Sequence, residues 1–144
     1  MIKVDAAQVC LDQAQAYWQM QQWQETIQAC AKAIAINQRL AKAHKLMGDA
    51  LQKIGQAQQA IGCYRQAIAI EPNFAEAYAN LGTLYAQQQQ WEQAVAHYQQ
   101  ALKIKPEFFA VYRHLARVWQ LRQQPEQAQA CLAKANELEA QTKQ

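Results

Sequence analysis

Cys63, His97 and Cys131 follow one another at one constant interval along the chain. Thiol and imidazole side chains are the ones zinc prefers. On equivalent faces of successive helices, however, they would lie about one helix-packing distance apart, roughly 8–10 Å. Metal–ligand bonds span only roughly 2.0–2.3 Å, so this column is read as holding no metal. Covalent catalysis finds no better support, because the chain has no serine, no HExxH run and no glycine-rich phosphate loop, and its four glycines are scattered. No catalytic residue, metal ligand or cofactor is assigned. The chemistry that the residues do support is binding of anions. Lys42, Lys45, Arg113 and Arg117 carry positive charge, and Asn80 can both donate and accept hydrogen bonds. Asp49, Thr83 and His114 stand among them.

These side chains need helices to hold them in register. In residues 75–108, Tyr78, Leu81, Gly82 and Tyr85 recur at helical spacing and the glutamine run Gln87 to Gln90 interrupts them. Ala94, Tyr98 and Ala101 then recur again, and Pro106 follows as a stop. The glutamine run reads as a solvated turn. The same pattern lies over residues 7–40, 41–74 and 109–142, so the whole chain, 1–144, reads as one domain of four helix-turn-helix units and eight antiparallel helices. Small residues persist in three columns: Ala14, Gly48, Gly82 and Ala116; Thr26, Ala60, Ala94 and Ala128; Ala33, Ala67, Ala101 and Ala135. Close helix contacts demand them.

The ends of the array depart from the pattern. In the first unit, Cys10, Ala14 and Tyr17 share the expected core face of the first helix, Asp5 is its expected N-cap, and Gln13 stands where later units have Met47, Leu81 and Leu115. Tyr17 already fills a core column, which leaves Trp18 either to meet a ligand or to pack on the segment Met1 to Val4. Trp23 and Trp91 share a column that fits hairpin packing. Pro72 and Pro106 close helices, and Asn73 and Glu107 fall where caps and first-turn acids are favoured. In the last unit, Gln129 and Asn136 replace apolar residues, as expected of a helix that faces water where a further unit would stack.

A spacing of Trp or Tyr, Leu-Gly, Tyr, Ala, aromatic, Ala and Pro that repeats about every 34 residues resembles the tetratricopeptide repeat. The resemblance implies an all-α fold, an αα superhelix of right-handed sense whose first helices line a concave groove. It also implies a protein–protein interaction scaffold and no enzymatic activity. On those first helices Lys42, Lys45, Lys53, Arg113, Arg117 and Arg122 face only Asp12, Asp49 and Glu76. The expected ligand is therefore an acidic or C-terminal peptide segment, held by Lys42, Lys45, Asp49, Asn80, Thr83, Arg113, His114 and Arg117. Family members that clamp chaperone C-termini use lysines, asparagines and an arginine. Here Lys45 and Asn80 match, but Asp49, Ala110 and His114 replace the rest, and an aspartate would repel the clamped carboxylate. Chaperone binding is not assigned. The unit 75–108 is also similar to the helical arrays preceding O-linked N-acetylglucosamine transferase catalytic domains, which leaves an alternative: the non-catalytic part of a larger enzyme such as a glycosyltransferase.

Composition agrees with this reading. Alanine and glutamine supply about two fifths of the residues, 51% of the chain is apolar and 17% charged. A net charge of +3 with no long basic run gives nothing to nucleic acid. The absence of an apolar stretch long enough to cross a bilayer excludes a membrane span. The four cysteines form no CxxC pair and read as reduced thiols, for which a cytoplasmic location is expected.

Overall fold

The structure, a computed structural model, describes residues 3–144. Those residues form eight α-helices: α1 (Ala6–Gln19), α2 (Trp23–Ile36), α3 (Ala41–Lys53), α4 (Ala57–Ile70), α5 (Ala75–Gln87), α6 (Trp91–Ile104), α7 (Phe109–Leu121) and α8 (Pro125–Thr142). The second helices start at Trp23, Ala57, Trp91 and Pro125, at even spacing along the chain. The helices pack in adjacent pairs, α1 on α2, α3 on α4, α5 on α6 and α7 on α8. The chain divides into two compact units, one ending at Pro72 and one spanning Asn73–Gln144. In the first unit α2 also packs on α3, and in the second α6 packs on α7.

Only three residues join the helices of each pair, so the chain must reverse within one tight motif. It does so identically four times. Gln21, Gly55, Gln89 and Gln123 hold φ values of 58°, 82°, 60° and 59°, in the left-handed region. The next amide in each case donates back five residues, Gln22 to Tyr17, Gln56 to Leu51, Gln90 to Tyr85 and Gln124 to Trp119, at 2.8–2.9 Å. This is the Schellman closure, which satisfies carbonyls orphaned at a helix end. Three of the four left-handed positions carry glutamine although glycine alone is free of steric cost there.

The small columns are buried as expected, with Ala33, Ala60, Ala67, Ala94, Ala101 and Ala135 fully excluded from solvent. What fills the space over the glycines is specific. A Cβ built on Gly48 would lie 2.9 Å from Cε1 of Tyr64, and one on Gly82 would lie 2.7 Å from Cδ1 of Tyr98. Both tyrosines come from the second helix of the same pair. Where the first-helix residue is alanine, at Ala14 and Ala116, the tyrosine column holds Cys30 and Leu132. The pair thus exchanges volume between its two members.

On α1, Cys10 and Tyr17 are half-buried and pack against the cluster that buries Leu11 and Ala14, and Leu11 adds apolar bulk where later units have Lys45, Ala79 and Arg113. Two expectations need correction. Asn73 and Glu107 cap nothing: Phe74 and Phe108 take the N-cap positions of α5 and α7 and offer no side-chain acceptor. Trp18 packs on Trp23, with ring centroids 4.9 Å apart, while Val4 is 74% exposed. Met1 and Ile2 of the segment proposed to cover Trp18 lie outside the described residues. Elsewhere Asp5 caps α1, its Oδ1 accepting from the amides of Ala7 and Gln8 at 3.1 and 3.2 Å. Pro125 opens α8 at its first turn, and Gln129 and Asn136 are exposed.

Candidate functional site

In the first unit, α3 carries Lys42, Lys45 and Asp49 at i, i+3 and i+7, and so along one face. Lys42 is exposed. The Lys45 Nζ lies 2.7 Å from Oδ2 of Asp49, an ion pair one helical turn long. Asp49 is almost fully buried, and its other oxygen accepts from the hydroxyl of Tyr64. That hydroxyl can reach Asp49 only because Gly48, one residue earlier, leaves room for the ring. Gln52 Oε1 lies 3.2 Å from the same hydroxyl. Lys45 is thereby neutralised by its own helix. Lys53, also counted with the basic first-helix residues, lies over the Trp23 ring with its Nζ 5.6 Å from the centroid.

The second unit repeats the device with different polarity. Tyr98 lies over Gly82 and its hydroxyl is 2.8 Å from Oγ1 of Thr83, a neutral pair in place of the carboxylate. Thr83 Oγ1 also donates to the Ala79 carbonyl, at 3.2 Å, so the tyrosine is the donor in their shared bond. Asn80 is half-buried one turn earlier on α5. Burial raises the pKa of Tyr98 and the Thr83 hydrogen bond opposes it. The other face of the Tyr98 ring receives His114 of α7, with centroids 5.8 Å apart and planes 12° from parallel. His114 keeps an exposed edge, but the burial of its stacked face lowers its pKa below the ordinary histidine value. Desolvation disfavours the imidazolium, so the ring is neutral at pH 7.

Around this stack lies a recess of about 390 Å³ between α5, α6 and α7. Thr83, Tyr98 and His114 form its polar wall, with Arg117 beside them. Ala86, Trp91, Val118 and Leu121 form the apolar one. Arg117 is exposed and Leu121 is 57% exposed. Of the residues expected in a binding site, the structure gathers Thr83, His114 and Arg117 here. Arg113 points elsewhere: its guanidinium pairs with Glu139 of α8 and lies 5.4 Å from the Phe109 ring centroid. The hydrogen bond from Arg113 holds the Glu139 carboxyl below its usual range.

Tyr98, Trp91, Val118 and Leu121 were not among the expected site residues. Trp91, assigned to hairpin packing, also forms part of the recess wall. The available signal was Gly82 followed by Thr83, with Tyr98 at the matching level of the next helix: an empty column invites the ring, and the residue after the glycine meets its hydroxyl. Among the described residues no three His, Cys, Asp or Glu side chains assemble to hold a metal ion, and no helix is long and apolar enough to cross a membrane.

Residues 75–108 match the family model of the tetratricopeptide repeat, and residues 48–89 match a second model described as TPR repeat. The chain carries tetratricopeptide repeats. Solved structures agree over nearly its whole length. A crystal structure of MamA superposes with a TM-score of 0.88 at 24% identity, covering 95% of this chain and 80% of that one. The structure of MamA 41-end from Desulfovibrio magneticus RS-1 gives 0.83 at 23% identity, covering 94% and 76%. At that identity the likeness is one of fold. No curated protein matches the chain. Tetratricopeptide repeats are protein-interaction modules, built of stacked helix pairs that expose long binding surfaces, and the repeats of this chain imply protein–protein interaction.

Proposed function

We propose that the first-helix faces of this scaffold bind an acidic peptide segment, and that in the second unit Arg117 is the residue that receives its negative charge. The supporting observation is the inequality among the cations. Lys45 is paired with Asp49 and Arg113 with Glu139, while no ion pair engages Lys42 or Arg117 among the described residues. A cation already paired contributes little to a ligand, since the ligand must displace the resident carboxylate. An exposed guanidinium beside a recess offers its bidentate fork directly to a carboxylate.

The probe is a fluorescein-labelled glutamate-rich peptide, prepared with a free and with an amidated C-terminus. Lys42→Glu combined with Arg117→Glu lowers its affinity by about tenfold or more at low ionic strength and flattens the salt dependence. Lys45→Gln and Arg113→Gln leave binding nearly unchanged. A distinctly weaker amidated peptide identifies the C-terminal carboxylate as the recognised group, and equal binding identifies the side chains. Capture of both peptides by the double variant as strongly as by the wild type would overturn the reading.

A further inference from the structure

We infer that the recess between α5, α6 and α7 is an anchor site for one aromatic side chain of the bound segment, so that the recognised class is an acidic peptide carrying a tryptophan or similar large ring. The proposal rests on the peptide-binding reading above and adds what the chain itself shows of the recess. When the first repeat is laid over the third, the counterpart of Ala86 is Trp18. There the Trp18 indole packs on Trp23 at 4.9 Å between centroids and against the buried cluster of α1, α2 and α3. The counterpart of Trp23 in the second unit is Trp91, which lines the recess. The first unit therefore fills with its own indole the place that the second unit, with alanine at 86, leaves open as about 390 Å³.

The walls suit the same guest. Trp91, Val118 and Ala86 give apolar surface, and Leu121, 57% exposed, extends it toward solvent. An exposed apolar residue at the edge of a concave site costs nothing to cover and gains from being covered. The polar wall makes no demand on an apolar guest, because the Tyr98 hydroxyl is already bonded to Thr83. Arg117 at the same recess places a positive charge within reach of an acid adjacent to the anchoring ring. Buried aromatic anchors ringed by polar contacts are the usual source of affinity in peptide recognition.

Two short glutamate-rich peptides, one with a single central tryptophan and one with alanine in its place, are titrated against wild type, Ala86→Trp and Leu121→Gln. In wild type the tryptophan peptide binds at least about tenfold tighter. Ala86→Trp, which copies the first unit at a half-buried position, abolishes the preference, and Leu121→Gln reduces it. Amide chemical shifts of α5, α6 and α7 are followed in parallel with N-acetyl-tryptophanamide, which bears no charge. Shifts confined to those helices in wild type and absent in Ala86→Trp support the anchor even if neither acidic peptide binds, a result that would count against the acidic-ligand reading alone. Equal binding of both peptides to wild type, or shifts that persist undiminished in Ala86→Trp, would refute the anchor.

Discussion

At the scale of single residues, the chain spends its glycines on tyrosines. Gly82 has no Cβ because the Tyr98 ring passes where one would be, and the next residue, Thr83, then receives the phenol. Gly82→Ala forces ring carbons near the ring's base to shift, and overpacking of this kind costs roughly 1–3 kcal/mol, read as a lower midpoint of chemical denaturation. Adding Tyr98→Leu to the same chain recovers much of the loss, because alanine over leucine is the arrangement at Ala116 and Leu132. The small columns were legible in the sequence as a repeating period; which side chain crosses over them was not. Ion pairs were less legible still, since Arg113 and Glu139 sit on different helices and no periodic pattern links them. Cys30 offers a second check. Burial first, then the nearby Cys63 and Asp49, push its thiol from 9.0 up to about 12. A raised thiol pKa means that the folded state holds its proton where the unfolded state releases it, so this contribution to stability is complete below pH 9 and declines as the pH climbs toward 12. In the native chain at pH 8, Cys30 reacts with a disulfide reagent more slowly than half-buried Cys10, and in denaturant the two rates converge.

The element that most exceeds its sequence signal is the turn within each helix pair. Gly55 marks the left-handed position once, and its counterparts Gln21, Gln89 and Gln123 carry no local sign that they share it. The column shows itself only when the four turns are aligned. Nor did the helix starts obey capping preference: after α1, the N-cap positions hold Gln22, Leu40, Gln56, Phe74, Gln90, Phe108 and Gln124, and none of their side chains accepts a hydrogen bond. Helix entry is fixed here by tertiary packing of the pair, which overrides a preference of about 1 kcal/mol. Helix boundaries were legible because the period placed them, and caps were not because caps are local. Replacing each of Gln21, Gln89 and Gln123 by glycine removes left-handed strain and returns some backbone entropy to the unfolded chain. The net gain is on the order of 0.5 kcal/mol per site. The triple variant melts several degrees higher, and Gln89→Val, branched at Cβ in the same conformation, melts lower than wild type.

On the scale of the whole molecule, the excess of first-helix cations that the sequence presents is largely consumed inside the structure. Lys45, Lys53 and Arg113 each have a resident partner, in Asp49, Trp23 and Glu139. Composition alone therefore overstates the charge available to a ligand, and only a distance can say which cations are engaged. Each of the two compact units has its own buried residues: Leu11, Cys30 and Tyr64 in one, Leu81, Tyr98 and Val111 in the other. In repeat proteins stability is close to a sum of local terms with nearest-neighbour coupling, so a defect is felt most where it is made. Native-state hydrogen exchange on Gly82→Ala tests this. Amides of α5 and α6 speed up most, those of α7 and α8 less, and those of α1 and α2 least. Gly48→Ala, whose Cβ would meet Tyr64, is expected to speed up the amides of α3 and α4 most, those of α1 and α2 less, and those of α7 and α8 least. Equal acceleration of all eight helices by either variant would show instead that the chain opens as one cooperative body, and the anchor recess would then share its stability with α1 as fully as with α6.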